Sequence, residues 1–210
     1  MKNTFSETNI TFLIRSDSVN IEHFTIKDVP GSSGRLDVVA RCILAALFNH
    51  DGFDKNVQII VFFQRYGAFR FDTADLNYSI FPKDELQLSD ALYHIIRNRN
   101  DKEYLENNPI APIERYKHSM LHYIKKTQRE ERSNVFVLKE SDKNLADHMG
   151  SLHKIRSDEF VFIVGNQSED FIASESFLRL NIPEISLGSQ SYIASSVIRL
   201  VKMYFRNLEL

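Results

Sequence analysis

Short runs of β-branched and aromatic residues alternate along the chain with stretches that repeat their apolar positions every three or four residues, and this alternation leaves few architectures open. A strand that is apolar on both faces needs cover on both sides, and a helical stretch between two such strands supplies the crossover of a parallel pair. The pattern predicts an α/β fold, a mainly parallel sheet flanked by helices. The predicted strands are Thr11 to Arg15, Val57 to Phe63, Asn134 to Leu138, Phe160 to Val164 and Glu184 to Leu187, with the last three central. Four apolar stripes mark helices. They are Leu36, Val39, Ile43, Leu44 and Leu47; Leu88, Leu92, Ile95 and Ile96; Ile113 through Met120, Leu121 and Ile124; and Ile193, Val197, Leu200, Val201, Tyr204 and Phe205. The last keeps its spacing for three turns and serves either the core or a second subunit.

With 210 residues and neither an internal repeat nor a low-complexity linker, the chain reads as one domain spanning residues 1–210. Asn98 to Pro112, polar and proline-broken, and the charged Lys125 to Ser133 read as surface loops or a solvated helix end. Even Val38 to Phe48, interrupted by Arg41, falls far short of the roughly 20 apolar residues of a membrane span. Met1 to Ser6 lacks the apolar core of a signal peptide, so the expectation is a cytoplasmic protein with no membrane segment. Cys42 stands alone, which excludes an internal disulfide and a Cys-x-x-Cys pair and suggests a small buried helix residue. The balance of 26 Lys+Arg against 28 Asp+Glu excludes a generally basic coat, so affinity for nucleic acid has to come from local patches.

Hydrolase chemistry finds no support, because no Gly-x-Ser-x-Gly elbow is present. Glu114, His118 and His122 would share one helix face, but they lack the His-Glu-x-x-His order, a solvated polar face explains them, and no metal is predicted. Two glycine-bearing turns are more informative. Val29-Pro30-Gly31-Ser32-Ser33-Gly34-Arg35-Leu36-Asp37 runs into a helix whose free N–H groups suit an anion, with Arg35 as charged partner; a plain turn with a Ser cap explains the same residues. Ile185-Ser186-Leu187-Gly188-Ser189-Gln190-Ser191-Tyr192 links a strand to the last helix. In open α/β sheets ligands settle beyond the carboxyl ends of strands, so this turn, the end of Phe160 to Gly165 and the end of Val135 to Leu138 converge on one predicted small-molecule pocket.

Pro30-Gly31-Ser32-Ser33-Gly34-Arg35-Leu36-Asp37, then Phe162-Ile163-Val164-Gly165, then Ile185-Ser186-Leu187-Gly188 with Ala194 beyond resemble, in that order, the TrmY family. These are archaeal tRNA (pseudouridine(54)-N1)-methyltransferases of the SPOUT class. The resemblance covers about Phe12 to Phe205 and implies a carboxyl-terminal trefoil knot, a rare exception to unknotted topology. It implies S-adenosylmethionine (SAM) against Leu138, Gly165, Ile185, Leu187, Gly188, Ser189, Gln190, Ser191 and Tyr192, with Val197 where the family often has cysteine. It also implies a tRNA substrate and a homodimer with the last helix near the interface. The family commonly follows its Gly165 counterpart with Asp-His and a Gly-containing loop, whereas Asn166-Gln167-Ser168-Glu169-Asp170 stands here.

The implied reaction moves a methyl group to N1 of pseudouridine without metal or covalent intermediate. Asp37 is the expected base-contacting or proton-accepting group and Arg35 the phosphate or base-edge contact. For Asp37 a dipole-favoured carboxylate in the first helical turn is the alternative, and for Arg35 a structural ion pair. Arg199, Lys202 and Arg206 share one face, and Lys125, Lys126, Arg129 and Arg132 cluster before a strand; both are read as solvated, leaving Arg35 and Arg41 as the better RNA contacts. Tyr66 is open to stacking or burial. A SPOUT methyltransferase for another RNA, such as ribosomal RNA, and a non-catalytic RNA-binding dimer remain alternatives.

Overall fold

The computed structural model describes residues 8–98, 101, 106–131, 133–140, 155, 157–165 and 171–207. Seven strands form one sheet: β1 (Asn9–Ser16), β2 (Val57–Phe63), β3 (Gly67–Asp72), β4 (Glu114–Tyr116), β5 (Ser133–Lys139), β6 (Glu159–Val164) and β7 (Glu184–Ser186). Their order is β4-β3-β2-β1-β6-β5-β7. From β7 to β2 the pairing is parallel, while β3 pairs antiparallel with both β2 and β4. The mainly parallel α/β expectation is therefore met, but its centre moves. β1 is the middle strand and β7 is an edge, because β7 is three residues long and among the described residues pairs with β5 alone, while β3 and β4 extend the opposite side.

Burial follows this order. Phe12 and Leu13 on β1 point to opposite faces and are both fully buried, as parallel interior strands require. One face packs Phe12, Ile59, Phe160 and Phe162 under three helices, α2 (Leu36–Leu47), α3 (Glu85–Arg97) and α6 (Ala194–Asn207), the short α1 (Val29–Ser32) lying just before α2. The other packs Leu13, Ile60, Val161 and Ile163 under α4 (Met120–Thr127) and the short α5 (Glu175–Leu178). Each such fully buried side chain contributes about 1.5–3 kcal/mol relative to exposure. No helix among the described residues is long and apolar enough to cross a membrane.

One predicted helix needs correction. The stripe from Ile113 begins in β4, not in a helix, and α4 starts only at Met120, where the Ser119 side chain accepts from the His122 N–H. Glu114 and His118 consequently leave the supposed shared face, and His118 instead stacks on His122 with centroids 4.2 Å apart. In α6, as the stripe allowed, Val201 and Phe205 lie in the core, Phe205 against Phe160 and Phe162, while Ile193 at the start of the stripe is exposed.

Candidate functional site

The carboxyl ends of β1, β6 and β5 and the turn after β7 open onto one cleft of about 1100 Å³. Leu138, Gly165, Leu187, Ser191, Tyr192 and Val197 line it, and so does Arg35. The two glycine-bearing turns, more than a hundred residues apart in sequence, meet here. Ile185 is buried in β7 and does not line the cleft, and Gly188, Ser189 and Gln190 occupy the adjoining turn without lining it. That turn is fixed to β5 by the Leu187 N–H donating to the Lys139 carbonyl at 3.1 Å, and the Gly188 N–H donates to Ser186 Oγ at 3.1 Å. Gly188 has φ +97°, and a Cβ there would meet nothing within 4 Å. Its glycine is thus demanded by backbone conformation and not by crowding. Asn166 to Asp170 lie outside the described residues, as does Arg132.

The Arg35 turn is built tightly. Ser33 Oγ accepts from the Leu36 N–H at 3.0 Å, which occupies the first N–H of α2, a donor expected to be free for an anion. Arg35 itself takes φ +73°, a left-handed conformation uncommon outside glycine and often found where function fixes the backbone. Behind it Asp37, on the first turn of α2, has only 5% of its side chain exposed. Its Oδ1 accepts from Arg35 Nε at 3.1 Å, and its Oδ2 accepts from Arg35 Nη2 at 3.2 Å and Arg41 Nη2 at 2.6 Å. Burial raises its pKa, but the hydrogen bonds from Arg35 and Arg41 outweigh burial and hold it below the ordinary value. Arg41 also reaches Glu85 at 2.8 Å.

Residues that sequence reasoning missed stand at the end of β1. Arg15 Nε donates to Asp17 Oδ1 at 2.6 Å, and its guanidinium lies 4.4 Å from the centroid of Phe171. Arg15-Ser16-Asp17 repeats the Arg-x-Asp spacing of Arg35-Leu36-Asp37, a signal too short to stand out in sequence. Both arginines line the cleft, and of the two aspartates only Asp17 does.

Other candidates separate from the cleft. Lys202, expected on a solvated face, is buried and donates to the carbonyls of Ala45, Ala46 and Phe48, with Asp54 at 2.8 Å. It closes the carboxyl end of α2, where unpaired carbonyls attract a cation. Arg206, itself exposed, pairs with the same Asp54 at 2.6 Å, and Arg199 is exposed as well, so Lys202 is the buried member of that trio. Tyr66 is half-buried, its hydroxyl accepting from the Ile21 N–H at 3.0 Å and donating to Asn20 Oδ1 at 3.1 Å. Cys42 is fully buried, and burial pushes its thiol up to about 12.

The cleft lies at the upper end of the roughly 300–1,000 Å³ of small-molecule pockets, room enough for a ligand of cofactor size. Its walls differ in character. Apolar Val39, Val164, Leu187 and Val197 suit a heteroaromatic ring, and Arg15 and Arg35 suit an anion. A family model described as "Putative SAM-dependent RNA methyltransferase" matches residues 10–209. The chain is 24% identical over 213 residues to the tRNA (pseudouridine(54)-N(1))-methyltransferase of Pyrococcus abyssi, covering 94% of this chain and 97% of that protein. It is 25% identical over 220 residues to the protein of the same name from Thermococcus onnurineus, at the same coverages. Among solved structures, Archaeoglobus fulgidus Nep1 bound to S-adenosylhomocysteine superposes with a TM-score of 0.60 over 96% of this chain and 99% of that one, at 12% identity, a likeness of fold. The chain belongs to this family of SAM-dependent RNA methyltransferases.

Proposed function

We propose that the chain methylates N1 of pseudouridine 54 in tRNA, the reaction in the names of its relatives from Pyrococcus and Thermococcus. The observation that carries this reading is the meeting of Arg35 with Leu138, Gly165 and Leu187 in one cleft, which sets an anion-binding side chain beside the strand ends proposed for SAM. SAM, when bound, supplies a methyl group on a positively charged sulfur. In this reading Leu138, Gly165, Ile185, the turn from Leu187 to Tyr192, and Val197 hold it by backbone and apolar contacts. The protein's part is then to bring N1 in line with the methyl group and to exclude water.

Arg35 grips the RNA, and Asp37 acts through it. A carboxylate already accepting from two guanidinium groups is poorly placed to take a proton, so Asp37 is a positioning residue that holds Arg35 and Arg41 against the cleft. The left-handed backbone at Arg35 is part of the same arrangement. In this reading the 1–210 chain works as one cytoplasmic domain and carries the carboxyl-terminal trefoil knot of the resembled family. Leu178 and Ile193, each 61% exposed at the cleft, with Tyr192, form an apolar rim suited to a second copy in a homodimer.

Two variants test the assignment. A Cβ on Gly165 would meet nothing within 4 Å, so Gly165→Val leaves the fold intact and projects a side chain at the cleft. SAM affinity measured by calorimetry should fall at least tenfold. Arg35→Ala should leave SAM affinity within about twofold, weaken tRNA binding by about 1–3 kcal/mol and make its salt dependence shallower by about one phosphate contact. Unchanged SAM affinity in the first variant, or unchanged tRNA affinity in the second, overturns the corresponding site.

A further inference from the structure

Methylation at N1 requires that the N1 proton leave, and Asp37 is sunk behind Arg35 and Arg41. We infer that Asp17, at the carboxyl end of the central strand, accepts that proton. This rests on the proposed pseudouridine reaction.

Four observations place Asp17 for the task. It lines the same cleft as Arg35, Gly165 and Leu187, with 23% of its side chain exposed against 5% for Asp37. It follows β1, whose Ile14 pairs with Val164, so the Asp17 turn lies one strand from the Gly165 end proposed for SAM. The turns carrying Asp17 and Arg35 are fastened together: Ser18 Oγ donates to the Gly34 carbonyl at 2.8 Å, and the Asn20 N–H donates to the Ser33 carbonyl at 3.0 Å. A base held by Arg35 is thereby brought to the side of the cleft where Asp17 stands. Lastly, Arg15 orients the carboxylate through the 2.6 Å contact while its own guanidinium rests on Phe171.

The chemistry balances without further reagents. The N1 electron pair forms the bond to the methyl carbon, and the carbon–sulfur bond breaks with its pair going to sulfur. The N1–H bond gives its proton to an Asp17 oxygen and leaves its electrons on the ring. A carboxylate is a weak base toward neutral pseudouridine, but N1 becomes acidic as the new bond forms, so proton and methyl move in step. The remaining charged groups lining the cleft among the described residues are Arg15, Arg35, Arg41, Lys139 and Glu140.

The test compares wild type, Asp17→Asn and Asp17→Glu in single-turnover methyl transfer to a tRNA carrying pseudouridine 54, with SAM and tRNA affinities measured alongside. Asp17→Asn should transfer at least a hundredfold more slowly at pH 7, with both affinities within about threefold of wild type. Its rate should rise about tenfold per pH unit from 7 to 9, as hydroxide replaces the missing acceptor, while wild type stays nearly flat; Asp17→Glu should regain most of the rate. An Asn variant within threefold of wild type, a pH slope matching wild type, or an inert Glu variant with intact affinities overturns the role of Asp17 alone. A wild type that methylates no pseudouridine-containing tRNA overturns both this inference and the reading beneath it.

Discussion

Gly34 and Ser18 touch so closely that a Cβ on Gly34 would lie 1.9 Å from the Ser18 carbonyl oxygen. The obstacle is backbone, so no side-chain rotation relieves it, and Gly34 also has φ +60°. The close approach pins the turn before α2 onto the end of β1 and sets Arg35 over the cleft. Gly34→Ala should therefore lose at least about 1–3 kcal/mol in urea unfolding and, in the folded fraction, bind tRNA more weakly than wild type. An unchanged midpoint with full tRNA affinity would show that the turns are not locked together.

The carboxyl end of α2 depends on a residue more than 150 positions away. Lys202 is bound to three α2-end carbonyls and to Asp54, and loss of its ammonium leaves those carbonyls buried without a donor. Lys202→Met is expected to cost about 3 kcal/mol, read as a lower denaturant midpoint at unchanged slope. Arg206→Ala, on the exposed side of Asp54, should cost less than about 1 kcal/mol. Equal losses for the two variants would contradict the cap.

Acid should weaken the Arg35 turn in a defined direction. The pKa of Asp37 is lower in the folded chain than in the unfolded one, so its contribution is fully present above about pH 4 and drains away as pH falls through the folded value. Thermal midpoints recorded between pH 5 and pH 2 should fall less steeply in Asp37→Asn than in wild type, from a lower starting point. Parallel curves would mean that the Arg35–Asp37–Arg41 cluster adds no pH-dependent stability.

Much of this arrangement was legible because it rests on short-range periodicity. The runs at β1, β2, β5 and β6 and the stripes of α2, α3 and α6 repeat at the spacing of the element they form. β3 carries a weaker signal, Phe69 and Phe71 buried on either side of Arg70, and β4 is three residues with no period at all. Strand order was legible only in part, since it depends on which edges are free and not on composition. Lys202 looked solvated because the carbonyls it caps belong to Ala45, Ala46 and Phe48. The turns at Gly34 and Gly188 were visible as separate motifs, and their convergence was not, for it arises from β1, β6, β5 and β7 lying in that order in one sheet. Asp17 escaped notice for the same reason: its importance comes from the wall it occupies.

The central claim, methyl transfer from SAM to N1 of pseudouridine, is tested most directly with two tRNA transcripts that differ only in carrying uridine or pseudouridine at position 54. Incubated with the protein and SAM labelled in its methyl group, the pseudouridine transcript should take up close to one methyl per molecule, because only the C-glycosidic base presents a free N1–H. The uridine transcript should take up none. Equal labelling of both, or labelling of neither while ribosomal RNA is labelled, would contradict the account.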